Sequence, residues 1–164
     1  MDERKIIRAE APADCAAIRS VLVSAFGGVA EADLVELLRR ERSIAIALVA
    51  EIAGDVCGYI VMSRLRSPSD GLALAPVAVA PARQGAGIGS ALVRKAIDLA
   101  RSGGSSIVFV LGDPTYYRRF GFSAEVAAPF RSPYSGPHFM ALRLAEQVTS
   151  SGTVAYPAAF DGLD

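Results

Sequence analysis

Two periods of apolar residues alternate along the chain and set out its elements. Residues 5–9 read as a short strand closed by Pro12. From residue 13 or 14 to Phe26 the spacing turns helical, with Ile18, Leu22 and Ala25 on one side, and Gly27 and Gly28 end the run. A second helix is predicted over residues 30–42, its apolar face carried by Leu34, Leu37 and Leu38 and its wet face by Glu36, Arg39 and Arg40. Residues 44–52 and 56–65 are β-rich runs separated by Ala53, Gly54 and Asp55, the pattern of a hairpin. The first of them is so apolar that both faces are expected to be covered.

A polar loop leads to a third strand, residues 72–79, which contains Pro76. Proline cannot donate to a ladder, so it belongs at an edge, a bulge or a place where strands part. The large apolar residues also change phase here, from Leu72 and Leu74 to Val77 and Val79. That shift predicts a β-bulge and free backbone groups just before the next segment. The segment is Gln84, Gly85, Ala86, Gly87, Ile88, Gly89, followed by an amphipathic helix with Ile88, Leu92, Ala96 and Leu99 on one side and a stop at Gly103 and Gly104. A glycine loop opening a helix can aim several N–H groups at one anion. A fourth strand, residues 106–111, runs into a short helix over 115–120, with Asp113 as N-cap and Pro114 at its first position. After three prolines a last clear strand covers 138–144, and Val154 and Tyr156 suggest one more edge strand. Strands and helices in this order predict a three-layer α/β or α+β domain.

Composition narrows the function. The chain has 164 residues, 52% of them hydrophobic, and 17 basic residues balance 17 acidic ones. One core-forming domain, 1–164, is expected, with no electrostatic case for nucleic acid or an anionic membrane. Cys15 and Cys57 lie far apart and His138 is the single histidine, so a zinc site is not expected, and both cysteines read as small buried apolar residues. The charged N-terminus has no long apolar sequel, and the longest apolar window is too short to span a bilayer, so a cytoplasmic protein is expected.

Three chemistries compete for the glycine loop. A nucleotide-hydrolase phosphate loop needs Lys followed by Ser or Thr after the last glycine, whereas Gly89 is followed by Ser90 and Ala91. The dinucleotide fingerprint needs GxGxxG, whereas the spacing here is Gly85, Gly87, Gly89. The third is a pyrophosphate turn of acyl-coenzyme A transferases. Gln84, Gly87 and Gly89 match a Gln/Arg-x-x-Gly-x-Gly/Ala signature, preceded by Val77, Ala78, Val79, Ala80 and Pro81 as a V-x-V-x-P strand end. About thirty residues on, Leu111, Gly112, Asp113, Pro114, Tyr116, Tyr117, Phe120, Gly121 and Phe122 form a second landmark. On these residues the chain resembles the GCN5-related N-acetyltransferases, in particular their small bacterial branch, over most of residues 5–144.

The resemblance implies a mixed, mostly antiparallel twisted sheet of six to seven strands with helices on both faces. It implies an N-acetyltransferase that uses acetyl-CoA as cosubstrate without a metal, moving the acetyl group to a primary amine by direct attack. Val77, Ala78 and Val79 would carry the pantetheine arm, with the main chains of Val77 and Val79 bonding it. Gln84, Gly85, Ala86, Gly87, Ile88 and Gly89 would hold the pyrophosphate, with Arg83 a candidate for the outer phosphates. Tyr117 would be the catalytic acid that protonates the departing thiolate, while Tyr116 packs or lines the acceptor site. Many relatives keep a glutamate base on the strand before the loop, but residues 72–79 contain no ionisable side chain. Deprotonation would then fall to a water chain or to a group outside the motifs such as Asp70, Asp113 or His138, although Asp113 reads better as a helix cap and His138 as a surface residue. The first two helices and residues 124–137 should border the amine site, where Arg64, Arg66, Arg118 or Arg131 could meet an acidic acceptor. The acceptor stays open among a small amine, an amino acid and a protein α-amine. The partners implied are acetyl-CoA and that amine, in a monomer or homodimer. A non-catalytic acyl-CoA sensor is the alternative, motivated by the missing glutamate, and a peptide-binding module using an open sheet edge is a third.

Overall fold

A computed structural model describes residues 4–146 and 149–162. Ala53 and Gly54 both take positive φ, 53° and 82°, the left-handed pair that lets two residues reverse a twisted strand. They join β2 (Ile44–Ile52) to β3 (Asp55–Arg64), which is the hairpin the alternation predicts. β1 (Lys5–Ala9) pairs with the outer edge of β2, and β4 (Gly71–Val79) with the far edge of β3, all antiparallel. β5 (Ile107–Leu111) then joins β4 in parallel, and β7 (Phe139–Arg143) closes the sheet antiparallel to β5. The order is β1-β2-β3-β4-β5-β7 in one mixed, mostly antiparallel six-stranded sheet.

Alternation along β3 sorts the core into layers. Ile60 and Met62 face one side, where they meet Ile88, Leu92, Val93 and Ala96 of α3 (Ile88–Ser102). Tyr59 and Val61 face the other, where they meet Ile18 and Leu22 of α1 (Cys15–Phe26) and Leu34, Val35 and Leu38 of α2 (Ala30–Arg40). A third cluster, built on Phe109, Phe130 and Phe139, lies under α5 (Ala124–Ala127) at the β5–β7 end, with ring centroids 4.9 and 5.4 Å apart. β2 is covered on both faces, Leu48 and Ala50 on one and Val49 on the other.

Some sequence expectations move. Leu37 is 44% exposed and Val35 takes the buried place beside Leu34 and Leu38. Cys57 is buried, and burial raises its thiol pKa, but Cys15 is exposed at the start of α1. The helix expected over 115–120 is α4 (Pro114–Tyr117) followed by one 3₁₀ turn, Arg118–Phe120. The tail forms β8 (Gly152–Thr153), parallel to β6 (Phe130–Arg131), instead of an edge strand through Val154 and Tyr156. Val154 is buried beside it and Tyr156 turns inward toward Tyr134 and Phe160.

Candidate active site

β4 and β5 pair only where Gly71, Leu72 and Ala73 face Ile107, Val108 and Phe109. Beyond Ala73 the strands part, and the reason lies in β4 itself. Its register with β3 steps from Met62↔Leu74 to Ile60↔Val77, so two β4 residues, Ala75 and Pro76, stand opposite the single residue Val61. This is the bulge the phase change predicts, and it returns Val77 and Val79 to the α3 side already occupied by Leu72 and Leu74. The Ala80 N–H donates to Cys57 O at 2.7 Å, toward β3. By the two-residue alternation of a strand, Ala78 also turns its backbone groups to β3, while those of Val77 and Val79 point into the gap. The Gln84 side-chain amide, which donates to Val79 O at 3.0 Å, reaches that carbonyl from the open side.

The gap ends at the glycine loop. Gly85 and Gly87 take φ of 83° and 81°, a conformation that strains any residue with a Cβ. The third glycine serves closeness instead: a Cβ on Gly89 would lie 3.3 Å from the Tyr116 hydroxyl and 3.6 Å from Val79 Cγ2. The first intrahelical bond of α3 is Ala91 N–H to Gly87 O, so the N–H groups of Ile88, Gly89 and Ser90 have no acceptor within the helix. They open on a groove of about 420 Å³ lined by Val79, Arg83, Gln84 and the loop on one side, and by Tyr116 and Arg119 on the other. Gly58 explains why α3 begins so close to β4. It pairs with Val79, and a Cβ there would meet Ile88 and Leu92 methyls at 3.0 Å, so only glycine lets the helix start press onto the sheet at this level.

Arg119 is the residue that sequence reasoning missed. Its guanidinium donates to Ser90 Oγ at 2.8 Å and lies 5.0 Å from the Tyr116 ring centroid, while the Tyr116 hydroxyl sits 3.3 Å from Ser90 Oγ. A positive charge is thereby fixed on the wall facing the loop. The signal available was an Arg three residues after Tyr116, one turn on, but the break from α-helix to 3₁₀ turn decides which way it points.

Tyr117 is 8% exposed and lines a cavity of about 230 Å³ with Leu74, Ala75, Pro76 and Val77 at the parting of the strands. Its ring packs edge-on against Tyr116 and Phe122. Among the described residues no group hydrogen-bonds its hydroxyl, and burial, with the neighbouring Tyr116 adding to it, pushes its pKa up to about 12. The phenol therefore stays protonated at neutral pH, as a proton donor must.

None of the three base candidates lines the Tyr117 cavity. Asp113 caps α4, accepting from Thr115 N–H at 3.0 Å. His138 is exposed, with Nδ1 3.2 Å from Gly112 O. Asp70 lines an open depression at the other end of β4, near Gly103. Arg64 lines that same depression and donates to Ile44 O, while Arg66 donates to Tyr156 O at 2.6 Å. Among the described residues no group of three His, Cys, Asp or Glu side chains could hold a metal ion.

Known proteins share this fold. YjhQ of Escherichia coli strain K12, named an uncharacterized N-acetyltransferase, is 42% identical over 117 residues, 66% of this chain and 64% of YjhQ. This chain thus spans just under two thirds of the length of YjhQ. YhbS of the same strain, also named an uncharacterized N-acetyltransferase, is 33% identical over 164 residues, covering 95% of this chain and 98% of that one. The structure of E. coli YhbS in complex with CoA superposes on all of this chain and 96% of its own with a TM-score of 0.92 at 31% identity. A GNAT family acetyltransferase from Brucella melitensis in complex with acetyl-CoA covers 98% of this chain and all of its own, with a TM-score of 0.84 at 36% identity. The Acetyltransferase (GNAT) family profile matches residues 15–122, a span that runs from α1 through the parted strands and the glycine loop to Phe122. The chain belongs to the GNAT family of acetyltransferases.

Proposed function

We propose that this protein transfers the acetyl group of acetyl-CoA to a primary amine. The observation that carries the reading is the edge of β4 left unpaired beyond Ala73, which leads directly into the left-handed glycine loop. An extended pantetheine arm can add to such an edge as a strand does, bonding the outward groups of Val77 and Val79. At its end the N–H groups from Gly85 to Gly89 meet a pyrophosphate, with Arg119 opposite. That two structural relatives were solved in complex with CoA and acetyl-CoA supports acetyl-CoA as the cosubstrate.

In the transfer, the neutral amine nitrogen bonds to the acetyl carbon and the carbon–sulfur bond breaks. The new amide sheds one proton to solvent, Tyr117 gives one to the thiolate sulfur, and solvent restores the phenol. Tyr117 lies beside the parted strands, where a thioester reached through Val77 would end. The same proposal takes residues 1–164 as one cytoplasmic domain acting as a monomer or homodimer; among the described residues no helix is long and apolar enough to cross a membrane.

Replacing Tyr117 by Phe tests the assignment. Release of free thiol with a saturating amine should fall by roughly ten- to ten-thousand-fold, with the calorimetric affinity for acetyl-CoA unchanged. In the wild type no loss of rate traceable to Tyr117 should occur up to pH 10, because its pKa stands near 12. An unchanged rate in the Phe variant removes Tyr117 from the mechanism. One observation favours a second reading, a non-catalytic acyl-CoA sensor: β4 carries no ionisable side chain. Tight acetyl-CoA binding with no thiol release for any amine would favour it.

A further inference from the structure

The Tyr117 cavity continues into a second one of about 300 Å³, and Glu31, Leu74, Ala75, Leu111 and Phe160 line both. The second cavity is walled by aromatic rings, Phe109, Tyr134 and Tyr156, and its rim with the first exposes Phe26 and Leu111, 44% and 51% accessible. Among the described residues, Glu31 is the single carboxylate on either lining, and no Arg, Lys or His lines either cavity. Its neighbours on α2 behave differently. Asp33 and Glu36 both accept from Arg19, at 3.1 and 3.0 Å, whereas Glu31, among the described residues, takes no hydrogen bond or ion pair. An unpaired carboxylate in an apolar groove beside the proposed acid is an acceptor for a cation.

We infer that this double cavity is the acceptor site and that Glu31 receives the substrate's ammonium group. The acceptor class is a small primary amine carried on an aromatic or apolar group and bearing no carboxylate of its own. This rests on the transferase reading above. The ammonium docks on Glu31 next to Tyr117, its extra proton leaves to solvent, and the neutral nitrogen attacks; the apolar remainder lies along Tyr134, Tyr156 and Phe160. A carboxylate on the substrate would find Glu31 repelling it and no cation to offset that, which argues against the arginines considered from sequence. Two of the ring residues, Tyr156 and Phe160, come from the tail, beyond residue 122 where the family match ends.

Phenethylamine and L-phenylalanine differ only by the α-carboxylate and form the central comparison, with a tetrapeptide beginning in phenylalanine as a third probe. With the full-length protein and acetyl-CoA, kcat/KM for phenethylamine should exceed that for phenylalanine by at least roughly tenfold, a gap of about 1.4 kcal/mol. It should exceed that for the tetrapeptide too. Glu31→Gln should lower kcat/KM for phenethylamine roughly ten- to hundredfold, mainly through KM, with melting temperature and acetyl-CoA affinity unchanged. Glu31→Asp should recover part of the loss. Turnover that prefers phenylalanine or the peptide, or an unaffected Gln variant, overturns this inference and leaves the transferase reading standing. Acetyl-CoA binding without turnover of any of the three amines overturns the inference, and if it extends to every amine tried it overturns the transferase reading with it.

Discussion

Gly112 is held as glycine by Tyr117, and this can be tested with one methyl group. A Cβ on Gly112 would lie 2.5 Å from Tyr117 Cε2 and 3.1 Å from Cδ2. Carbon atoms sit comfortably at about 3.5–4.0 Å, so the alanine methyl is about 1 Å too close. The backbone does not forbid alanine, since Gly112 lies outside the left-handed region. The ring cannot easily swing away either, because Tyr116, Phe120 and Phe122 pack around it. Overpacking of this kind costs about 1–3 kcal/mol, which in a chain of this size lowers the melting temperature by roughly 2–12 °C. A ring displaced by about 1 Å should also reduce kcat on the order of a hundredfold. Melting curves and thiol-release rates of Gly112→Ala measure the two effects, with acetyl-CoA affinity as the control that should not move. In a Tyr117→Leu background the added methyl should cost less than about 0.5 kcal/mol, because the clashing ring is gone. Gly112→Ala that melts and turns over like wild type refutes the reasoning, as does an equal cost in the Leu background.

Gly87→Glu adds a side chain at φ 81° in open space, so the fold should survive a backbone penalty of about 1–2 kcal/mol while the carboxylate fills the anion cradle. Acetyl-CoA affinity should fall at least a hundredfold by calorimetry, and retained affinity would remove the loop from the cofactor site. A separate prediction concerns acid. Arg8 forks onto Asp14 at 2.8 and 2.9 Å, the Ala11 N–H adds a third bond, and together they hold the carboxyl at about 2 against an ordinary 3.8. Because the folded value is the lower one, the contribution is complete above about pH 4 and disappears as the pH falls through about 2. Urea midpoints of wild type and Asp14→Asn should therefore differ at pH 6 and converge near pH 2; a difference that persists at pH 2 would show that proton linkage at Asp14 is not its source.

The elements that a short window of sequence describes came out where their pattern put them. The hairpin, the helix after the glycine loop and the Asp113 cap depend on neighbours within a few residues, and so did the bulge, because Pro76 and the Leu74–Val77 phase change record it locally. The glycine loop could be separated from two other phosphate-binding loops for the same reason: its chemistry is in its own backbone. Only the tertiary structure decided what faces that loop and what lines the cavities beside Tyr117. Arg119 points at Ser90 because a 3₁₀ turn follows α4, Glu31 comes to line one cavity with Tyr117 across eighty-odd residues of chain, and Tyr156 and Phe160 arrive from a tail with weak periodicity. Those neighbours are brought together over long range, by the parting of β4 from β5 and the packing of α1 and α2 on that face of the sheet, and no periodicity along the chain encodes which distant side chains a gap between strands brings together.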